Sequence, residues 1–481
     1  MQNTHIDIAI IGGGPGGYAT ALRASELGLS VVLINREDRL GGTCLNRGCI
    51  PSKALITATR AIHNVDEAKR MGINAHVESI DFAKLTEFKN GSVKAMTDGL
   101  ASLLAARKVT VIKGEASIVK NHCVRVKLNE AKGDDASIEI TADNIVVATG
   151  SRPRPLPNHP FDDAIIDSTQ ALNLPQFPKS AVIIGAGAVA VEFASMWNAA
   201  GVDVTLLIRH ERVLSHTHRR TSMALTRALT KDGVRIVTHS HVAKIEKSAN
   251  THGATVSYST DKDETTHQVN ADVVLVAIGR DPNTDAAWFG NAGIELVENG
   301  LVKTDAYGRT SQPDIWALGD ISEGPALAYR AFEQGIVIAE SIAGLNPKPV
   351  DNATVPEVVF STPEFASVGL TMEQAKADPT VIGPKETAYP MMGNARILMS
   401  GETGSMSVIT GSHADKADTP VILGVHMLAP DAGDLIAEAE ELVGNRVPLS
   451  NAARLIHPHP TYSEAFGEAL LKADGRPLHT R

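Results

Sequence analysis

The feature that most constrains this chain is one phrase, strand then glycine turn then helix then strand, written twice. Residues 6–11 are an apolar run that ends in Gly12-Gly13-Gly14-Pro15-Gly16-Gly17. A helical pattern follows over 18–24, then Gly28, then a second apolar run at 31–34. The same order returns at 181–184, with Gly185-Ala186-Gly187-Ala188-Val189-Ala190, a helical stretch to Ala200, Gly201, and an apolar run at 204–208. Each copy predicts the βαβ opening of a dinucleotide-binding fold. Its first glycine (Gly12, Gly185) allows the tight turn, and its second (Gly14, Gly187) lets backbone approach a pyrophosphate. The third, Gly17, lets helix and strand pack closely, and Ala190 takes that place in the second copy. The helix N-terminus then turns unpaired N–H groups and a positive dipole end toward phosphate. A single glycine turn is common in α/β proteins. Two, each between an apolar run and a helical pattern, predict two dinucleotide sites.

Three further runs end in a similar way. Residues 144–150 close on Thr149-Gly150, residues 272–279 close on Gly279, and residues 314–320 close on Gly319-Asp320. Asp320 is either an acceptor for ligand hydroxyls or part of a plain turn. From about residue 350 the glycine fingerprints stop. Alternating patterns at 357–360 and 405–409 and a helical stretch at 434–443 predict a separate α+β domain over 350–481. Residues 123–140 and 246–270 read as polar hairpins.

The length of 481 residues suits roughly three domains. Acidic residues outnumber basic ones, 55 to 45, and no long basic run exists, which disfavours nucleic acid as a partner. No apolar run is long enough to span a membrane. The N-terminus lacks the basic region and the cleavage site of a secretory signal, and the cysteines number only 3, so the expected setting is a reducing cytoplasm.

Two of those cysteines lie in Gly41-Gly42-Thr43-Cys44-Leu45-Asn46-Arg47-Gly48-Cys49-Ile50-Pro51-Ser52-Lys53. Zinc would need four ligands, and no second cysteine pair exists. A structural bridge over so short a loop would add little in a reducing compartment. A redox-active dithiol remains. In a regular helix this spacing is slightly too long for a bridge, and Gly48 permits the needed distortion. Cys123 is expected to be a plain strand residue.

The segment CLNRGCIPSK resembles the flavin-dependent pyridine-nucleotide disulfide oxidoreductases. Within them it is closer to the lipoamide-oxidising branch than to the glutathione-reducing one, which commonly reads CVNVGCVPKK. The resemblance covers nearly the whole chain apart from the polar hairpins. It implies an α/β protein with two Rossmann-like dinucleotide-binding domains, the NAD domain inserted in the FAD domain, and a C-terminal α+β dimerisation domain. The expected boundaries are 1–150 and 281–349 for FAD, 151–280 for NAD(P), and 350–481 for dimerisation.

The resemblance also implies roles. Cys44 is the interchange thiol, and Cys49 faces the flavin. Lys53 lies near the flavin and pairs with Glu192. The FAD contacts are Gly12, Gly14, Gly17, Asn35, Thr43, Lys53, Ala116, Thr149, Gly150, Asp320 and Ala328. The nicotinamide-nucleotide contacts are Gly185, Gly187, Glu192, Ile208, Arg209 and Gly279. No metal is expected. In HPHPTYSE the base is His459, oriented by Glu464, and both serve the other subunit of a homodimer; taken alone, such histidines read as loop residues. The implied reaction is oxidation of protein-bound dihydrolipoamide, with NAD as acceptor. The partner is the lipoyl-bearing subunit of a 2-oxoacid dehydrogenase or glycine cleavage complex, because no lipoyl domain precedes the first fingerprint. The rivals are an NADPH-dependent reductase of another small disulfide and a non-catalytic flavoprotein subunit.

Three departures stand out. Asn35, 23 residues after Gly12, replaces the usual ribose-binding acid. Ile208, 23 residues after Gly185, replaces the second one and is followed by Arg209-His210-Glu211-Arg212, so a 2′-phosphate could meet Arg209 and Arg212. NADP is therefore a possible second cofactor. Tyr329 stands where the family usually has histidine.

Overall fold

A computed structural model describes residues 5–120, 122–129, 137–248 and 253–480. The chain divides into two compact units: residues 1–54, 81–154 and 280–352 form the first, and residues 55–80, 155–279 and 353–481 the second.

The first unit is built on a parallel sheet with the strand order Thr110–Lys120, Val31–Asn35, His5–Ile11, Ser137–Val147, Ile315–Ala317. His5–Ile11 is central and covered on both faces, which is why its sequence is a continuous apolar run rather than an alternating one. The two long strands continue beyond this sheet. There they pair with Cys123–Leu128 as an antiparallel extension, which is the first polar hairpin, and Cys123 is a buried strand residue. The loop of that hairpin, 130–136, lies outside the described residues.

The helix Pro15–Glu26 starts with proline at its first position, where a missing N–H costs nothing. It buries Gly16, Gly17, Thr20, Ala21 and Ala24. Small residues on this face let the helix Ala328–Ile342 approach closely. A Cβ on Gly335 would collide with Thr20 and with the Gly16 carbonyl.

The second unit repeats the pattern. Its parallel sheet has the order Arg235–Val237, Asp203–Leu207, Ser180–Ile184, Val273–Val276, Ile165–Ile166. The helix Ala188–Ala199 is buried along most of its length, with Phe193 edge-on to Trp197 at 5.0 Å. The second polar hairpin is three antiparallel strands, Ser240–Lys247, Ala254–Thr260 and Asp263–Ala271, and residues 249–252 lie outside the described residues.

The unit also holds a five-stranded antiparallel sheet, ordered Glu357–Val359, Glu364–Gly369, Val421–Ala429, Ser405–His413, Val381–Pro390. The helices Ala432–Gly444 and Glu464–Ala473 cover it through Ile436, Ala439, Leu442, Phe466 and Leu470. Among the described residues no helix is long and apolar enough to cross a membrane, and no group of three or more His, Cys, Asp or Glu is placed to hold a metal.

Candidate active site

The two cysteines sit on either side of a broken helix. Gly42–Arg47 forms one short piece, Gly48 leaves helical geometry at φ −139° and ψ −109°, and Cys49–Glu67 starts anew. That break is the distortion expected of Gly48. It brings the thiols together, so that Cys44 and Cys49 hydrogen-bond to each other, with neither bridged. The Cys44 thiol is pushed up by this bond first, then by burial and by the charge Cys49 would carry, while Lys53 pulls it down. A thiol held protonated in this way is a weak nucleophile and needs a base to activate it. Tyr18 also faces the pair. Burial raises its phenol, and the two thiols add to the effect. Nothing in the local sequence singled out Tyr18.

The first glycine turn lies in the same unit. Gly12 has φ +115°, and a Cβ there would run into the Ala148 carbonyl. Gly17 packs so close to the Gly12 carbonyl that no side chain fits. Gly14 caps the helix Pro15–Glu26 without any side-chain cap, and a Cβ there would meet Gly42 Cα at 3.8 Å, ordinary van der Waals contact. Its counterpart Gly187 caps Ala188–Ala199 in the same way, and nothing stands within 4 Å of where its Cβ would be. Unpaired helix N–H groups behind a bare glycine are the requirement for a pyrophosphate, so both turns fit a dinucleotide.

Other expected contacts line the first unit. Thr149 Oγ1 donates to the Asn283 carbonyl at 2.9 Å, and Asn283 Nδ2 donates back to the Thr149 carbonyl at 2.8 Å. Ser151 Oγ donates to Asp320 at 2.5 Å and accepts from Arg280 Nε at 2.6 Å. Asn283, Ser151 and Arg280 were not foreseen, because these bonds join segments about 130 positions apart. Gly150 takes positive φ, as does Gly279 of the second unit. Thr43 and Ala116 are half-buried, and Ala328 opens the helix Ala328–Ile342. Asn35 is buried at 6% exposure, and its Nδ2 donates to the carbonyls of Glu37 at 2.6 Å and Arg39 at 3.1 Å. Its amide nitrogen is therefore spent on its own loop.

In the second unit Glu192 is buried and accepts from the Phe360 N–H at 3.1 Å. Ile208 is a core residue. Its N–H donates to Val237 O, and its carbonyl accepts from Ser240 N and Oγ. It therefore offers no polar group to a ribose. Arg209 is exposed. Arg212, expected beside it as a phosphate partner, is instead engaged with Glu211 at 3.0 Å and with the Ser215 carbonyl at 2.7 Å.

The C-terminal histidines differ sharply. His457 has an 8% exposed side chain and bonds Glu438 at 2.9 Å, whereas the His459 side chain is 76% exposed. His459 Nδ1 donates to Glu464 Oε2 at 2.7 Å. A carboxylate only accepts, so Nδ1 carries the proton and Nε2 presents its lone pair. Glu464 stands in the first turn of Glu464–Ala473, near the positive end of that helix. Its other oxygen accepts from Asn394 Nδ2 at 3.2 Å, a brace with no local sequence signal.

The comparisons agree with this geometry. Residues 6–335 match the model of the pyridine nucleotide-disulphide oxidoreductases, and residues 355–470 match their dimerisation domain. A dihydrolipoyl dehydrogenase of Geobacillus stearothermophilus is 40% identical over 98% of this chain and 96% of its own. A mitochondrial one of Caenorhabditis elegans is 38% identical over 97% and 92%. Two solved structures are similar. LpdA of Mycobacterium tuberculosis has a TM-score of 0.86 at 26% identity, covering 97% of this chain and 100% of that one. The HOCl-induced flavoprotein disulfide reductase RclA of Escherichia coli has 0.83 at 27%, covering 97% and 99%. A pair of thiols in hydrogen-bond contact, two glycine turns and family matches along the chain place it in the pyridine nucleotide-disulphide oxidoreductase family.

Proposed function

We propose that the chain oxidises the dihydrolipoamide of a lipoyl-bearing partner in a reducing compartment; its relatives are named dihydrolipoyl dehydrogenases. The observation that carries this reading is the Cys44–Cys49 pair, in mutual hydrogen-bond contact on a helix broken at Gly48. When the pair is bridged, a substrate thiolate attacks Cys44 and releases Cys49. The second substrate thiol then attacks the mixed disulfide and frees Cys44. One disulfide is reduced and one is formed, so the electrons balance. His459 Nε2 takes the proton of the first attacking thiol, that of the second passes to the departing Cys44 sulfur, and Glu464 holds the ring in the tautomer that can act as base. Lys53 favours the thiolate forms. A bound flavin supplies the two-electron path from the dithiol to a nicotinamide nucleotide.

Gly12, Gly14, Gly17, Thr43, Ala116, Thr149, Gly150, Asp320 and Ala328 would hold FAD, and Gly185, Gly187 and Gly279 the nicotinamide nucleotide. Residues 1–150 and 281–349 form the flavin domain in this reading, 151–280 the nucleotide domain, and 350–481 the pairing domain. His459 serves the partner subunit of a homodimer. The test is turnover of dihydrolipoamide with NAD⁺. Cys49→Ser is expected to abolish turnover while keeping bound flavin, and full activity of that variant would end the proposal.

A second reading concerns the acceptor. Arg209 is exposed at the end of Asp203–Leu207, Ile208 contributes no acid, and Glu211 is neutralised by Arg212 and by Arg219 at 3.1 Å. This charge pattern suits a 2′-phosphate, and with it either NADP or NADPH-driven reduction of another disulfide. Steady-state kinetics with both nucleotides decides. Arg209→Ala is expected to lower kcat/KM for NADP more than for NAD, and an equal effect on both removes this reading.

A further inference from the structure

The loop that follows Val31–Asn35 is braced by asparagine side chains. Asn129 Nδ2 donates to the Arg36 carbonyl at 2.8 Å. Asn35 Nδ2 serves the carbonyls of Glu37 and Arg39 at 2.6 and 3.1 Å. Asn46 Nδ2 serves those of Leu40 and Gly42 at 2.9 and 3.0 Å. This backbone lines one side of an open cavity of about 640 Å³, walled by Arg36, Glu37, Asp38, Arg39 and Arg47. The size suits a nucleoside. Both Glu37 oxygens meet the Arg47 guanidinium, one of them at 2.8 Å from Nη1. Arg47 lies between Cys44 and Cys49 in sequence.

In a dinucleotide fold the acid that accepts from the ribose stands at the end of the second strand. Here that place holds an amide whose two N–H bonds are already committed to loop carbonyls. A carboxylate there could donate to neither and would face both carbonyl dipoles. An acid, Glu37, stands two residues on. We propose that Glu37 accepts from the adenosine ribose of the bound flavin dinucleotide. Asn35 is the positioning residue that shapes its loop, and Arg47 holds the carboxylate in place. This rests on the flavin reading above and deepens it. It also ties the adenosine end of the cofactor to the helix that carries Cys44.

The test strips flavin from the purified holoenzyme and titrates FAD and FMN back, following flavin fluorescence, with the thermal midpoint of each flavin-free variant as a folding check. FMN has no adenosine, so it reports on the rest of the site. Glu37→Gln is expected to lower FAD affinity at least about tenfold, the scale of a charge-assisted hydrogen bond, while FMN affinity holds. Asn35→Asp, which restores an acid at the usual place, is expected to weaken FAD and not to tighten it. The proposal is overturned if Glu37→Gln leaves the FAD-to-FMN affinity ratio unchanged, or if Asn35→Asp binds FAD as well as the parent chain or better. A parent chain that takes up neither flavin overturns the functional reading as well.

Discussion

His459 gives one ring nitrogen to Glu464 and presents the other outward, and this division decides what each substitution does. His459→Gln removes the base, and dihydrolipoamide turnover is expected to fall about 10²–10⁴-fold with flavin retained. Glu464→Gln leaves a neutral acceptor and costs less, but the acid limb of the kcat/KM–pH profile should move, which loss of packing alone would not do. Buried histidines report on stability instead. His426 stacks on His218 at 4.4 Å between ring centres and bonds Ser367 Oγ at 2.7 Å and the Leu370 carbonyl at 3.1 Å. Burial, helped by His218, depresses it to about 3. Unfolded, it titrates near about 6.5. Its contribution is therefore whole above that pH and is lost as pH falls from there toward 3. Thermal midpoints should drop across this window, and His426→Gln should flatten the drop. An unchanged slope would contradict the assignment. His457 acts with the opposite sign. Glu438 raises it, so its contribution is whole below the unfolded value and fades as pH climbs through the raised one.

At the scale of elements, the glycine turns separate folding from binding. Gly14→Val places its Cβ at an ordinary van der Waals distance, 3.8 Å from Gly42 Cα, yet over the helix N–H groups. The variant should fold and lose flavin, seen as a colourless protein with a near-parental thermal midpoint. Gly17→Ala collides with the Gly12 carbonyl and should instead lower the midpoint. These turns were legible in the sequence because strand, glycines and helix are contiguous. The broken cysteine helix was legible for the same reason, since Gly48 lies inside the motif. What could not be read comes from elsewhere in the chain. The Asn129 brace reaches the 36–40 loop across 93 positions, and Asn394 reaches Glu464 across 70. Arg212 looked like a phosphate ligand because its neighbours in sequence are basic, but the turn back to Ser215 had already claimed it. Charge pattern along a chain does not show which partners a fold has used.

For the whole molecule, the C-terminal region leaves large apolar side chains uncovered, including Met392, Leu398, Met399 and Ile456, the last 97% exposed. Such a set within a matched dimerisation domain suits subunit pairing. Ile456→Asp is expected to shift the chain toward monomer in sedimentation and to lower activity with it. An active monomer would contradict a site shared between subunits. Mixed dimers sharpen the point. A subunit carrying Cys44→Ser paired with one carrying His459→Gln should regain one working site, although each variant alone is expected to be severely impaired.

The most direct measurement counts thiols during turnover. The protein is held without oxygen, treated with dihydrolipoamide, quenched with an alkylating agent, and the peptide spanning Cys44 and Cys49 is weighed. Two new alkyl groups should appear on that peptide and vanish when NAD⁺ is added, with Cys123 unchanged throughout. A peptide whose labelling ignores both reagents would mean that electrons take another route.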